Sequence, residues 1–186
     1  IEQPCMRLFF AVAAAKGLTI TIADTMNAFQ QSPPPSNKCY LLIDDAYRSW
    51  HQTRYGTDVD PTTHVIPLNK ALQGHPEAGA LWERMIVGIL EGEELGFTST
   101  THERNLYRGQ IDGELVLVCR QVDDFAIASA SPAAAEKLIA IINAHATTAS
   151  KGIGTPNDQG IGLRYNGVEV HQSCDHVKVS CETYIN

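Results

Sequence analysis

Residues 114–129 read Glu-Leu-Val-Leu-Val-Cys-Arg-Gln-Val-Asp-Asp-Phe-Ala-Ile-Ala-Ser, and no other stretch restricts the fold as tightly. Two apolar runs, Leu115–Cys119 and Phe125–Ala128, each have the length of a buried strand. Asp112-Gly113 just ahead of them is a strong hairpin-turn signal. Between the runs stand Asp123 and Asp124. Pairing of the runs puts both carboxylates at a hairpin tip, where like charges repel and tend to raise each other's pKa. A site that keeps both ionised needs a compensating cation, and hard divalent ions such as Mg2+ suit carboxylate oxygens. Taken alone, Asp-Asp reads first as a turn.

A second stretch supplies a third carboxylate. Residues 18–24, Leu-Thr-Ile-Thr-Ile-Ala-Asp, alternate as a strand does and end on Asp24. A carboxylate there completes, with the hairpin pair, a set able to hold two metal ions, an arrangement that clamps the attacking and leaving oxygens of an in-line phosphoryl displacement.

Four motifs in order then carry a resemblance. They are Asp24-Thr25-Met26-Asn27-Ala28-Phe29; Asn69-Lys70-Ala71-Leu72-Gln73-Gly74-His75-Pro76-Glu77 followed by Trp82; Gln121-Val122-Asp123-Asp124; and Tyr165-Asn166-Gly167-Val168-Glu169-Val170. With gaps, from about residue 6 to the end, the chain resembles the reverse transcriptase of copia-type LTR retrotransposons. The resemblance implies an RNA-directed DNA polymerase: an α+β, ferredoxin-like polymerase palm with a partial fingers insertion at about 31–63, and no thumb or RNase H within 1–186. It implies Asp24, Asp123 and Asp124 as catalytic residues and as ligands of two Mg2+ ions, with Mn2+ able to substitute. Phe29 would pack under the sugar and exclude a 2′-hydroxyl. Gly74 would let a nucleotide approach the backbone, Ala28 and Gln121 would border the substrate, and Val122 would abut the primer end. The implied partners are an RNA template, a DNA primer, dNTPs and the other domains of a parent polyprotein (integrase, RNase H), in cytoplasmic particles. The chain departs from the family at Gln121, usually Tyr, at Glu77, usually Gln, and at Ala80, usually Arg.

With 186 residues, 44% of them hydrophobic, one well-buried domain is expected, with room for a small subdomain. No run of 18 apolar residues suggests a membrane span. Leu8–Ala15 has the look of a signal-peptide core but fits an amphipathic helix better, and the missing initiator Met suggests a piece of a longer protein. Cys5, Cys39, Cys119, Cys174 and Cys181 are scattered and odd in number, so reduced thiols are expected rather than a disulfide framework or structural zinc. The formal net charge of −7 argues against a self-sufficient nucleic-acid binder, since such domains usually carry basic excess. In the family, much of the template grip lies in outer fingers, thumb and RNase H.

The remaining expectations follow from pattern. A helix spans 4–16, stopped by Gly17; a turn spans 25–30; 31–63 is irregular, with short strands at 39–43 and 64–68 and with Asp44-Asp45 as a solvated turn. A helix runs from Pro76 to about Glu94. Ser131-Pro132 caps a helix to Ala146. Residues 150–162 read as a Gly-rich loop in which Lys151 is either solvated or the cation that protonates the leaving pyrophosphate. Leu163–Val170 and Val177–Cys181 read as a hairpin. Antiparallel strands with helices on one face make the class α+β. Two further functions stand beside polymerase: a degenerate or domesticated palm that binds nucleic acid or protein without catalysis, and a nucleotide cyclase, for which no base pocket is recognisable.

Overall fold

The structure, a computed structural model, describes residues 1–154, 162–173 and 176–181. The described residues form, in order, α1 (Gln3–Ala15), β1 (Thr19–Thr25), α2 (Ala28–Gln31), β2 (Tyr40–Leu42), α3 (Asp45–Tyr55), β3 (Val65–Pro67), α4 (Ala78–Leu90), β4 (Thr98–Ser99), β5 (Leu106–Ile111), β6 (Glu114–Gln121), β7 (Asp124–Ser129), α5 (Pro132–His145), β8 (Thr148–Ile153), β9 (Gly162–Tyr165), β10 (Val168–Gln172) and β11 (Val177–Ser180). The mix is α+β. Two units divide it: residues 1–28 with 83–186, and residues 29–82. No helix among the described residues is long and apolar enough to cross a membrane.

The first unit is built on an antiparallel six-stranded sheet ordered β4-β5-β6-β7-β1-β8. Its central strands are apolar on both faces, as a covered sheet requires. Because strand side chains alternate, Ile20, Ile22 and Asp24 share one face with Ala128, Ala126 and Asp124, their β7 neighbours. On that face α1 buries Met6, Phe9, Phe10 and Ala13 with Ile20, Ile22, Cys119, Ala126 and Ala128, and the small sheet β11-β10-β9 adds Leu163, Tyr165 and Val170. Helix α5 packs against β1, β5, β6, β7 and β8, where Phe125 and Ile127 are fully buried. Helices therefore lie on both faces, not one: α1 has its own apolar stripe and covers what would otherwise be an exposed Ile and Ala surface.

Local signals explain the boundaries. The β5–β6 turn places Asp112 at φ 51° and Gly113 at φ 82°, the two left-handed residues of a type I′ hairpin. Ser131 accepts from the Ala134 N–H and starts α5. Helix α4 is shorter at both ends than expected. It stops at Leu90, whose carbonyl accepts from the Phe97 N–H, with Gly96 at φ 58° closing the turn.

In the second unit the irregular reading of 31–63 is corrected. Asp44 is exposed, as expected, but it starts a helix rather than a turn: its carboxylate accepts from the Tyr47 N–H at 2.7 Å and caps α3, which Gly56 at φ 73° ends. This helix escapes a search for buried periodicity because none of its residues is buried. The expected turn at 25–30 overlaps the single helical turn α2, which runs on to Gln31. Residues 150–153 form part of β8 rather than a loop, and 155–161 lie outside the described residues. Leu163–Val170 is not one strand but two, β9 and β10, turned at Asn166-Gly167.

Gln172 joins the two sheets of the first unit. Its side chain donates from Nε2 to the Leu18 carbonyl (2.6 Å) and accepts at Oε1 from the Ile20 N–H (2.9 Å), both buried. Replacing it leaves the Leu18 carbonyl and the Ile20 N–H unpaired, at a cost of about 1–3 kcal/mol each. Gln172→Leu is therefore expected to lower unfolding free energy by about 2–6 kcal/mol in chemical denaturation.

Candidate active site

The first unit brings Asp24, Asp123 and Asp124 together: one carboxylate oxygen of each lies within 4.8 Å of the other two. Each is placed by a strand end. Asp24 is the sixth of seven residues of β1 and pairs directly with Asp124, the first of β7. Asp123 occupies the two-residue turn between β6 and β7, and its carbonyl accepts from the Thr25 N–H at 2.9 Å, which fastens the turn to β1. Preceding it, Val122 sits at φ 53°. Positive φ in a β-branched residue is a steric outlier and marks stored local strain.

The electrostatics follow from partial burial of like charges. Lys151, on β8, sets its Nζ 3.0 Å from Asp24 Oδ1 and 3.8 Å from Asp124 Oδ1. The Asn166 N–H donates to Asp124 Oδ2 at 3.2 Å. Even so, Asp124 titrates above its ordinary value: burial is the largest cause, Lys151 and the Asn166 N–H oppose it, and Asp24 and Asp123 add to it. Lys151 is thus neither simply solvated nor in a loop. It is an ammonium held against two of three carboxylates.

Beneath the turn lies a residue that pattern reading passed over. Arg120 is 1% exposed. Its Nη2 donates to Glu83 Oε2 (2.5 Å) and Asn105 Oδ1 (2.7 Å), and its Nη1 to the Val122 carbonyl (3.4 Å). A charge inside an apolar run, in phase with Val116 and Val118, is the signal that would have found it. Burial also pushes the neighbouring Tyr107 hydroxyl up. Among the other expected site residues, Ala28 is buried at the start of α2, and Gln121 accepts from the Ile1 amino group. Phe29 and Gly74 belong to the second unit. There Phe29 packs against Ala71, Ala78 and Leu81, and Gly74 takes φ 88°. Glu77 in that unit is held by the Ser36 N–H (3.1 Å) and hydroxyl (2.7 Å).

The donor set fits magnesium: three carboxylates, all hard oxygen, grouped at a partly exposed strand end with an excess of negative charge. No family model and no curated protein matches the chain. Among solved structures, an apo telomerase from Candida tropicalis truncated of its C-terminal domain is similar, at 12% identity and a TM-score of 0.45, over 95% of this chain. The chain spans 39% of the length of that telomerase chain.

Two predictions follow from the charges. Because folding raises the Asp124 pKa, the ionised carboxylate opposes stability above that raised value, and the penalty fades as pH falls through it toward the ordinary carboxylate range. Asp124→Asn is expected to raise the metal-free Tm at pH 7, with the gain vanishing in acid; a further Tm increase in millimolar Mg2+ at pH 7 is expected of the unsubstituted chain and not of this variant. The second concerns Arg120. Glu83→Ala removes the carboxylate that meets the buried Arg120 charge and leaves it only the neutral Asn105 and Val122 oxygens, costing about 3 kcal/mol. Arg120→Met removes the charge itself and is expected to cost less, as measured by urea denaturation.

Proposed function

We propose that the chain is the palm of an RNA-directed DNA polymerase of the copia retrotransposon type, joining dNTPs to a primer 3′-hydroxyl on an RNA template. The observation that carries the reading is the meeting of Asp24, Asp123 and Asp124 at the end of paired strands. Connectivity supports it. With α2, β2, α3 and β3 inserted after β1 and with β4 and β5 inserted after α4, the elements β1, α4, β6, β7, α5 and β8 come in the order β-α-β-β-α-β, with sheet order β6-β7-β1-β8, the split pattern of ferredoxin-like folds.

In this reading Asp24 and Asp123 are the principal ligands of two Mg2+ ions and Asp124 supports them. Bound Mg2+ would supply positive charge that favours the ionised 3′-hydroxyl and neutralises the departing pyrophosphate. The residues of the chain orient and balance charge. Strained Val122, at the tip of the turn, borders the primer end. Buried Arg120 holds the Val122 carbonyl and so fixes the turn that carries Asp123. Lys151 keeps the carboxylates together as a counter-ion. Catalysis by such a site is mostly positioning and preorganised charge.

The net charge of −7 favours a second reading, a palm-like module without catalysis that binds a protein or nucleic acid. Primer extension separates the two. With an RNA template, a DNA primer, dNTPs and Mg2+ or Mn2+, the polymerase reading expects extension, and at least a hundredfold loss in Asp123→Ala. Folded protein that binds primer-template but never extends would establish the module instead.

A further inference from the structure

We propose that Glu2, Cys5 and His102 form a second metal site, for a borderline-soft divalent ion of the zinc class. One ligand atom from each lies within 4.8 Å of the other two. Glu2 immediately precedes α1 and Cys5 lies in its first turn; residues three apart share a helix face. His102 comes from the segment between β4 and β5. Cys5 is buried and forms the floor, while Glu2 and His102 are exposed and form the rim. That arrangement gives an ion a way in.

The two halves are already joined without metal. Glu103, next to His102, accepts the Glu2 N–H at 3.1 Å. Its other oxygen accepts the Asn105 backbone N–H and side-chain Nδ2, each at 3.0 Å. The Thr100 hydroxyl donates to the Glu103 carbonyl at 2.6 Å. The segment that presents His102 is thus fixed to the helix that presents Glu2 and Cys5, and little backbone ordering is left for binding to impose.

Donor chemistry sets the selectivity. A thiolate, an imidazole and a carboxylate are the ligands zinc takes, and three protein donors leave the fourth tetrahedral position to water. The aspartate cluster offers only hard oxygen and suits magnesium. One chain would hold two sites that sort ions by softness. Binding converts the Cys5 thiol to a thiolate, forms the sulfur–metal bond and releases one proton to buffer; no redox step is involved. The site ties the start of α1 to the segment leading into β5, and it stands independently of the polymerase reading.

Cobalt(II) is the probe, titrated into the whole chain carrying Asp24→Asn and Asp123→Asn so that the oxygen site is silent. The expected result is saturation at one equivalent, with tetrahedral visible bands, a sulfur-to-cobalt charge-transfer band, and displacement by zinc. Cys5→Ser should lose the charge-transfer band. His102→Ala, at an exposed position, should weaken binding by more than about tenfold, since changes outside the ligand shell alone cost that much. A spectrum without the thiolate band, or binding that His102→Ala leaves unchanged, overturns the site. Cys5→Ser is scored only if it folds, and His102→Ala decides either way.

Discussion

The pairing of β1 with β7 is the contact on which the rest of the first unit depends. Its register sets Ile20 opposite Ala128, Ile22 opposite Ala126 and Asp24 opposite Asp124. The apolar pairs are fully buried, and a slip of one residue would turn both isoleucines to the other face. That register cannot change without exposing the core. The carboxylate pair at the strand end is therefore fixed by hydrophobic burial several residues away. Like charges with no attraction for each other are held together because the strands that carry them have no alternative.

Two devices offset the resulting repulsion and a third braces the turn, each from a different element. Lys151 on β8 faces Asp24 and Asp124. Asn166, in the β9–β10 turn, gives its N–H to Asp124. Arg120, under the β6–β7 turn, holds the Val122 carbonyl while its own charge is met by Glu83 and Asn105. The buried Tyr165 hydroxyl donates to the Cys119 carbonyl at 3.0 Å, which braces β6 just before that turn. Its hydroxyl and the Cys119 thiol are both pushed up by burial, the thiol to about 12, so neither ionises near neutral pH. What the site leaves to be balanced is carboxylate charge, the kind a hard cation balances.

Softness separates the second cluster from the first. Glu2, Cys5 and His102 combine sulfur, nitrogen and oxygen donors, whereas the aspartates offer oxygen alone. The network from Glu2 through Glu103 and Asn105 to Arg120 runs hydrogen bond by hydrogen bond. The N-terminal helix and the strut beneath the carboxylate turn thus share supports.

Local pattern alone determined the central hairpin, the strand that carries Asp24 and the capped helix from Pro132, because period-2 apolar runs, an Asp-Gly turn and a Ser-Pro cap act over a few residues; the three aspartates were assigned as a catalytic set only with the family resemblance. Helix α3 was missed because it buries nothing, and its only marks are the Asp44 cap and Gly56. Strand β8 was hidden because its register is set by β1, while its own sequence, Thr-Ala-Ser-Lys-Gly-Ile, carries no apolar alternation. Which face α1 covers, the placing of Lys151 between Asp24 and Asp124, the burial of Arg120 and the approach of Cys5 to His102 were decided only by the tertiary structure. Each depends on residues brought together across long stretches of chain by core packing, and no local propensity encodes that distance.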